Sequence, residues 1–414
     1  MSRPTARFES SFPSAEAAVW AALALGLVTL TLAWALLHLP AFDRFQIIDT
    51  PVYQEYGEAM ADGRVPYRDF EVEYPPAALP LFWLPTLAPA EHYRSVFDWL
   101  MWACAAAAVA FALAALVARD ATPARLTAAA VFMGLAPLAL GSVVLSRYDF
   151  WPAALVAAAV AALVSGRERV GFGVLGLAVT AKIYPAVLLP VALAYVWRRR
   201  GPREAAVGLA VFVGVVAAVT LPFLLVAADG LWESLSDQLG RPLQIESLGS
   251  ALLLAADRLG VYDAEVVSTH GSQNLAGSLP DALAVLLTLG QAAALIAVWA
   301  LFARGAAGED RFLAGYAAAV AAFIAFAKVL SPQFLIWLVP LVPLVAGGAG
   351  LAAAALLGAA LVTTHLWFPS RYWDVVAVEP VAWLVLVRDL VLVALLGVLL
   401  ATLVTRARGA SRSV

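Results

Sequence analysis

The sequence predicts an all-α protein that crosses a membrane many times, and three observations support this fold class. Hydrophobic residues make up 63% of the 414-residue chain, whereas charged residues make up only 13%. Many apolar runs are about twenty residues long, the length that a helix needs to cross a bilayer. Basic residues are concentrated in alternate loops, as expected for a multi-pass protein. We therefore expect one integral membrane domain over residues 1–414.

The apolar runs predict about twelve membrane segments, some of them short or broken. In chain order they are residues 17–38, 93–118, 126–145, 150–165, 171–181, 184–197, 204–227, 281–303, 312–328, 333–346, 349–366 and 382–403. The first run follows Arg3 and Arg7 and is too long for a signal-peptide core, so we interpret it as a retained helix. The runs 171–181 and 184–197 are each too short for a bilayer of about 30 Å and predict a broken or re-entrant pair.

Polar residues fall at two junctions between these runs. Lys182 and Tyr184 lie between the two short runs, and Lys328 and Gln333 lie at a second junction. Irregular backbone at membrane depth is tolerated only where it is buried in protein or lines a cavity. Both junctions are therefore candidate walls of a site.

Charge placement predicts one orientation for the chain. With a cytoplasmic N-terminus, the inner loops hold most of the 26 basic residues and few of the 29 acidic residues. This arrangement requires residues 77–88 not to span, and it places the C-terminus in the cytoplasm of a cell whose plasma membrane holds the protein. The polar segments 39–92 and 228–280 then become extracytoplasmic loops.

The first outer loop is acid-rich and aromatic and lies where a membrane protein meets water. Chemistry on lipid head groups takes place at this level, so we expect the site to be extracytoplasmic. A donor used there must be lipid-linked, because nucleotide sugars and ATP remain in the cytoplasm. The candidate site residues on this face are Asp49, Tyr53, Tyr67, Asp69, Glu73, Tyr74, Arg147, Asp149, Lys182, Tyr184, Lys328 and Gln333.

These residues resemble glycosyltransferase family 87, a group of GT-C-fold enzymes that includes polyprenyl-phosphate-mannose-dependent mannosyltransferases of actinobacteria. The similar motifs, in order, are Asp49 with Tyr53, Gly63, Pro66-Tyr67, Asp69-Phe70, Glu73-Tyr74-Pro75-Pro76, Arg147-Tyr148-Asp149, Lys182-Ile183-Tyr184-Pro185 and Ser331-Pro332-Gln333-Phe334-Leu335-Ile336-Trp337. The resemblance implies a GT-C fold and transfer of a sugar, mannose first among them, from a polyprenyl monophosphate donor to a lipid or glycan acceptor. Gln333 stands where some such mannosyltransferases carry His.

The chemistry of transfer assigns roles to these residues. An acceptor hydroxyl is a poor nucleophile, so its attack on an anomeric carbon needs a carboxylate that takes its proton. We expect Asp49 to be this base in an inverting displacement. The polyprenyl phosphate departs as a stable anion and needs no general acid, but it does need cations, which Lys182, Lys328 or Arg147 can supply.

Each role has a structural alternative. Asp49 stands before Thr50-Pro51 and is suited to cap a helix, since Asp is favoured at caps and Pro in the first turn. Asp43 and Asp69 are rival bases. Arg147 and Asp149 are suited to form a structural ion pair, and lysines such as Lys182 and Lys328 often reach towards the membrane surface from helix ends.

No cofactor is predicted. Glu71 and Glu73 alternate as they would along one side of an extended segment, which can hold a divalent cation, although solvated loop acids are the commoner case. The single cysteine, Cys104, excludes a disulfide framework. The pattern Gly171-x-Gly173-x-x-Gly176 lies in an apolar run without a βαβ unit, so we interpret it as helix packing and not as a dinucleotide site.

Two other functions compete with glycosyl transfer from a monophosphate donor. A lipid-linked sugar flippase or other transporter predicts inverted repeats and charges near the membrane midplane, and the sequence has no clear internal repeat. A glycan polymerase or ligase that uses diphosphate-linked donors predicts more arginines on the outer face. The expected partners are therefore the donor, the acceptor and membrane lipids, without nucleic acid.

Overall fold

A computed structural model describes residues 15–43 and 47–410 of the chain. Its helices are α1 (Ala15–Leu37), α2 (Pro40–Asp43), α3 (Thr50–Ala61), α4 (Leu79–Trp83), α5 (Tyr93–Val117), α6 (Pro123–Leu140), α7 (Phe150–Val164), α8 (Glu168–Ala181), α9 (Leu189–Arg200), α10 (Pro202–Val226), α11 (Ala228–Gly240), α12 (Leu248–Arg258), α13 (Ser278–Arg304), α14 (Glu309–Ala325), α15 (Gly347–His365), α16 (Tyr372–Val376) and α17 (Ala382–Ala410). Arg3 and Arg7 lie outside the described residues.

Seven of the described helical segments are long and apolar enough to cross a membrane. They contain α1, α5, α6, α10, α13, α15 and α17. Shorter apolar helices lie beside them, over Pro76–Leu87, Phe150–Val164 and Pro332–Leu344. The prediction of an all-α, multi-pass membrane protein is therefore confirmed, and residues 77–88 form only short helical turns, as the charge pattern required.

Small residues allow the long helices to approach closely. Helix α1 packs on α6, and α5 packs on α7, which also contacts α8. A side chain at Gly134 of α6 would collide with Thr29 and with the carbonyl of Gly26 on α1. Helices α7 and α14 are largely buried, and both are rich in alanine. Close packing of small residues is the usual way in which membrane helices associate.

Two of the predicted segments have a different local structure. The run 333–346 is not one helix but two 3₁₀ segments, Pro332–Leu338 and Val342–Leu344, because Pro340 and Pro343 have no N–H to donate within a continuous helix. The broken pair is confirmed: α8 ends at Ala181, and a 3₁₀ turn over Tyr184–Leu188 precedes α9.

The loop 228–280 is folded, which the sequence analysis did not anticipate. After α11 and α12 it forms an antiparallel hairpin of β1 (Glu265–Thr269) and β2 (Ser272–Ala276), whose turn residues His270 and Gly271 have positive φ. Residues 241–247 lie along β2, because Ile245 donates its N–H to Gln273 and Leu275 donates to Leu243. The hairpin thus fixes the segment that carries Glu246.

Charged side chains collect at two opposite ends of the helix bundle. The end that carries the α3, Lys182 and Lys328 regions is called the site end, and the end where α5, α9 and α13 finish is called the opposite end. The ion pairs of the opposite end are Arg119 with Glu309 and Asp310, Arg199 with Glu309, Arg200 with Glu168, and Arg169 with Glu204. All of these residues lie in loops that the charge pattern assigns to one side.

Candidate active site

Asp49 directs its carboxylate away from the helix that it precedes. Helix α3 begins at Thr50 with Pro51 in its first turn, and the carbonyl of Asp49 accepts the N–H of Tyr53 at 3.1 Å. The Asp49 side chain makes no capping hydrogen bond to any described residue. Its Oδ2 instead forms an ion pair with Arg147 and lies 3.4 Å from the hydroxyl of Tyr53. The carboxylate is therefore available for a role other than capping.

Arg147 lies in the turn between α6 and α7, and its side chain is only 8% exposed. Besides the ion pair to Asp49, its Nη2 donates to the carbonyl of Ile47 at 3.2 Å, and its Nε has no hydrogen-bond partner among the described residues. Burial lowers the pKa of the guanidinium to about 10, and the charges of Asp149 and Glu246 oppose that shift. The predicted ion pair between Arg147 and Asp149 does not form directly, because Asp149 has a different partner.

Asp149 is the buried acceptor for a cation and an indole. Lys182 donates from Nζ to Asp149 Oδ1 at 2.6 Å, and Trp337 donates from Nε1 to the same oxygen at 2.7 Å. The second oxygen, Oδ2, has no hydrogen-bond partner in the described chain. The break after α8 brings Lys182 to this position, and the 3₁₀ segment from Pro332 brings Trp337. The first junction singled out in the sequence and the 3₁₀ segment that follows the second junction therefore meet at one carboxylate.

Aromatic rings surround the ammonium group of Lys182. Its Nζ lies 4.5 Å from the ring centre of Tyr148, 5.3 Å from that of Trp337 and 5.5 Å from that of Phe334. Tyr184 stacks on Trp337 with ring centres 4.0 Å apart. Burial lowers the pKa of Lys182, and Asp149 opposes this shift. The lysine thus points into the protein and does not extend to the membrane surface.

Lys328 has a different environment. Its Nζ donates to the carbonyl of Leu239 at 2.8 Å in the last turn of α11, and its own carbonyl accepts the N–H of Gln244 at 3.0 Å. A cation at a helix C-terminus is favoured by the free carbonyls there. Gln333 is half-buried, and its Oε1 has no hydrogen-bond partner in the described chain. Lys328 is therefore a link between two segments of the site end, whereas Gln333 retains an acceptor without a partner among the described residues.

Tyrosines of the first outer loop form an aromatic cluster beside Asp49. Tyr53 is buried and stacks on Phe82 with ring centres 4.4 Å apart, while Tyr74 lies 5.5 Å from Tyr53 and 5.1 Å from Tyr148. Tyr67 has a positive φ and donates its hydroxyl hydrogen bond to the carbonyl of Tyr74. The cluster connects the loop to the turn that carries Arg147 and Asp149.

The acids further along the loop are exposed. Asp69 accepts hydrogen bonds from Arg68 at 2.9 Å and from the N–H of Val65 at 2.7 Å, and these bonds hold its pKa down to about 2. Glu71 and Glu73 are exposed. The side chain of Asp43 lies outside the described residues. In the described parts of the chain, no three His, Cys, Asp or Glu side chains group as a metal site would need.

Three functional candidates escaped the sequence analysis: Glu246, Arg388 and Asp389. All three are buried at the site end. Arg388 of α17 donates from Nη2 to the carbonyl of Glu246 at 2.6 Å and forms an ion pair with Asp389 at 2.6 Å. Glu246 Oε2 has no hydrogen-bond partner among the described side chains and main chain. A charged pair inside the apolar run 382–403 was a usable signal.

Burial raises the pKa of the Glu246 carboxyl to about 7. The charges of Arg388, Arg241 and Arg147, in that order, oppose the shift. The site end thus combines a partly exposed carboxylate, buried cations and aromatic rings, which together suit a sugar phosphate: cations for the phosphate, rings for the sugar, and a carboxylate for a proton.

Comparison with models of protein families gives a match. The family model described as glycosyltransferase family 87 matches residues 73–332, more than half of the chain. The matched range includes Arg147, Asp149, Lys182 and Lys328, whereas Asp49 lies before it. A search of curated proteins finds no match.

Proposed function

This chain belongs to glycosyltransferase family 87 and is a membrane glycosyltransferase, and on that premise we propose that it transfers mannose from a polyprenyl monophosphate donor. The acceptor in this proposal is a lipid or glycan at the outer leaflet of the plasma membrane, and both termini are cytoplasmic. The family is defined by glycosyl transfer, so membership favours a glycosyltransferase over the alternative of a lipid-linked sugar transporter.

The proposed donor site uses the buried cations next to Asp49. Arg147 has a spare Nε–H, and guanidinium groups bind phosphate through two donors at once. Aromatic rings surround the ammonium group of Lys182, and this group forms an ion pair with Asp149 at 2.6 Å. Cations in a dry environment stabilise the charge that develops on a departing phosphate much more strongly than they would in water. Lys328 is a weaker candidate, since its ammonium already binds Leu239.

The position of the Asp49 carboxylate is the single observation that carries the proposal. It is 28% exposed and held by Arg147, and it makes no capping bond to a described residue of α3. In the proposed step the acceptor oxygen attacks the anomeric carbon while Asp49 takes its proton. The bond to the phosphate oxygen breaks, the polyprenyl phosphate leaves with the electron pair, and one displacement inverts the anomeric configuration.

The remaining candidates bind substrate in this scheme. Tyr53 lies beside Asp49 and its ring contacts that of Tyr74, and Tyr184 stacks on Trp337 beside Lys182. Gln333 offers an unused amide oxygen to a sugar hydroxyl. Asp69 is a poor base, because a group whose pKa is about 2 is reluctant to accept a proton. Asp69, Glu73 and Tyr67 shape the loop in this proposal.

The proposal is tested by measuring mannose transfer in membranes that carry this chain alone. Radiolabelled polyprenyl-phosphate mannose should give labelled lipid or glycan product in membranes with the wild-type chain and none in matched membranes with Asp49→Asn. Guanosine diphosphate mannose should give no product while synthesis of the lipid-linked donor is blocked. Direct use of the nucleotide sugar, or of a diphosphate-linked donor alone, would contradict the proposed donor class.

A further inference from the structure

Helix α11 follows the membrane-spanning helix α10 after a single residue. Helix α10 begins at the opposite end and has 25 residues, so it extends over roughly 37 Å, whereas the apolar core of a bilayer is about 30 Å thick. Its last residues, Leu225 and Val226, therefore reach the membrane boundary at the site end. Ala227 then interrupts the helix, with φ −153° and ψ 42°. Helix α11 thus begins at the level of the lipid head groups.

Helix α11 is held across the site end at both of its own ends. Near its start, Gly230 lies so close to the first outer loop that a side chain there would collide with the carbonyl of Tyr67. The ring of Tyr67 also packs edge-on against Phe223 of α10, with ring centres 5.4 Å apart. In the last turn of α11, the carbonyl of Leu239 accepts a hydrogen bond from Lys328 at 2.8 Å. Because both contacts are with loops of the site end, α11 lies across that end of the bundle.

Two faces of α11 have an evident environment. One face is directed towards the protein, since Leu231 is buried and Gln238, seven residues later, is half-buried. Another face is acidic and exposed, and its members are each four residues apart: Asp229, Glu233 and Asp237. Residues four apart lie on one side of a helix, so these three carboxylates are directed together towards water.

A third face of α11 is apolar and also exposed. Trp232 is 67% exposed, and Leu239, almost two helical turns later, is 76% exposed, with the half-buried Leu235 between them. These three residues, which we call the apolar face, lie on one side of the helix. Exposed groups of large apolar side chains usually mark a contact with protein or membrane. The apolar face therefore requires a partner.

Lipid is the partner that fits the apolar face. The face follows shortly after Leu225 and Val226, which are 75% and 50% exposed on a helix that crosses the membrane. A helix with apolar and charged sides commonly lies in the plane of the membrane surface, and tryptophan is enriched at that level. The acidic face limits the depth, because carboxylates in the apolar core are expensive. The contact is thus a shallow one.

We propose that α11 is an interfacial helix, whose apolar face of Trp232, Leu235 and Leu239 contacts the acyl chains of the phospholipid leaflet at the site end while its acidic face remains in water. This contact goes beyond the proposed transfer reaction and does not depend on the identity of sugar or acceptor. Since α11 also contacts Tyr67 and Lys328, it fixes both at the level of the head groups. A lipid-linked donor presents its phosphate at that level.

The first experiment measures which medium surrounds each face. Nitroxide labels are attached to Leu239→Cys or Asp237→Cys in a Cys104→Ala background, and the purified full chain is placed in phosphatidylcholine nanodiscs at one molecule per disc. Oxygen is enriched in lipid, whereas a nickel chelate remains in water. The label should collide more often with oxygen at Leu239→Cys and more often with the chelate at Asp237→Cys. Val213→Cys on α10 and Ser268→Cys on the hairpin are the matched standards for lipid and water, because both positions are exposed.

The other possible results of this measurement overturn the proposal. Access to the chelate at Leu239→Cys as high as at Ser268→Cys would place the apolar face in water. Low access to both reagents would show that protein covers it. A second copy of the chain is excluded as the cover, since each disc holds one molecule.

The second experiment uses the native side chain of Trp232. Fluorescence of wild type and Trp232→Phe is compared in nanodiscs of plain lipids and of lipids brominated near either end of the acyl chain. The emission that Trp232→Phe removes should be quenched more strongly by bromine near the head group than by bromine near the chain end, because the contact is shallow. Trp20, which is 61% exposed on the membrane-spanning helix α1, calibrates the signal through Trp20→Phe. Equal emission from Trp232 in brominated and plain lipids would contradict the proposal.

Neither experiment needs a substrate, so the two proposals can fail separately. If α11 contacts lipid but the chain transfers no mannose, the proposed function fails and the interfacial helix stands. If the chain transfers mannose while the apolar face lies in water or against protein, the interfacial helix is wrong and the proposed function stands.

Discussion

Two buried arginines, one at each end of the bundle, have different kinds of partner. Arg311 at the opposite end donates to four main-chain carbonyls, those of Phe302, Leu301, Ala306 and Leu403. Arg147 at the site end pairs with the side chain of Asp49 and donates to one carbonyl. Carbonyls of the main chain are fixed and cannot take part in proton transfer, whereas a carboxylate can. We therefore expect that a carboxylate partner, more than burial, marks an arginine of the proposed reaction site.

Ion pairs show the same contrast. The side chains of Arg169 and Glu204 at the opposite end are 64% and 37% exposed, whereas those of Lys182 and Asp149 at the site end are 16% and 1% exposed. Exposed pairs contribute little to stability, because water and salt screen them. Buried charges in a membrane protein are expensive and usually mark a functional site. These two pairs therefore carry charge for different reasons.

The strongest test of the comparison asks which end faces outward. Single cysteines at Ser268, in the hairpin of the site end, and at Ser165, at the opposite end, are introduced into a Cys104→Ala background. A membrane-impermeant thiol reagent on intact cells should label the first and spare the second. Both positions are exposed in the fold, so access depends on the side of the membrane. The reverse pattern would place the site in the cytoplasm and remove the need for a lipid-linked donor.

The next largest effect is expected at Asp49. Asp49→Asn should slow transfer by roughly 100- to 10,000-fold, because the amide cannot accept the acceptor's proton. Its fold and donor binding should persist, since Asn is nearly isosteric and still suits a helix N-terminus. Asp69→Asn and Glu73→Gln are the matched controls in the same loop and should be milder. Loss in Asp69→Asn with normal turnover in Asp49→Asn would make Asp69 the base.

Replacement of the two lysines of the site end should have different effects on donor binding. Removing Lys182 with its partner, as Lys182→Met with Asp149→Asn, loses a charge-assisted contact of about 1.5–3 kcal/mol to the donor phosphate without leaving a buried carboxylate alone. Donor affinity or turnover should fall roughly tenfold to a hundredfold. Lys328→Met should change donor kinetics little and lower the melting temperature, because its ammonium binds Leu239. Equal donor kinetics in both variants would remove Lys182 from the phosphate site.

The smallest effects concern stability at the opposite end. Arg311→Gln should lower the free energy of unfolding by about 3 kcal/mol or more, since several buried carbonyls lose their donor. Arg169→Gln should change it by less than about 1 kcal/mol. Thermal melting in detergent measures both, and transfer per folded molecule should remain at the wild-type level. A selective loss of transfer in Arg311→Gln would break the distinction between the two ends.

Local sequence signals were sufficient for the helices and for the break at Lys182. Apolar length and proline position act over a few residues, so they predict where a helix runs and where it stops. The same signals were available for Pro340 and Pro343, which explain why 333–346 is not one helix. The hairpin also had a local signal, since His270-Gly271 follows Val266, Val267 and Thr269, which have high strand propensity.

The pairs that side chains form between distant parts of the fold were harder to predict from the sequence. Arg147 and Asp149 are two apart in sequence, yet Arg147 pairs with Asp49 and Asp149 with Lys182, because tertiary contacts decide which side chains meet. Arg388 stood out as a charge in an apolar run. Glu246 had no comparable signal, since it is one acid among many in the outer loops, and only its burial distinguishes it.

The hydrogen bond from Arg388 to the carbonyl of Glu246 has a consequence for how the protein is made. Arg388 lies on α17, the last described helix, whereas Glu246 lies far earlier in the chain. Synthesis runs from the N-terminus, so the earlier helices enter the membrane before α17 leaves the ribosome. Until that helix arrives, the carbonyl of Glu246 lacks its donor. A nascent chain halted before Arg388 would thus hold Asp49, Arg147 and Lys182 in an unfinished enzyme.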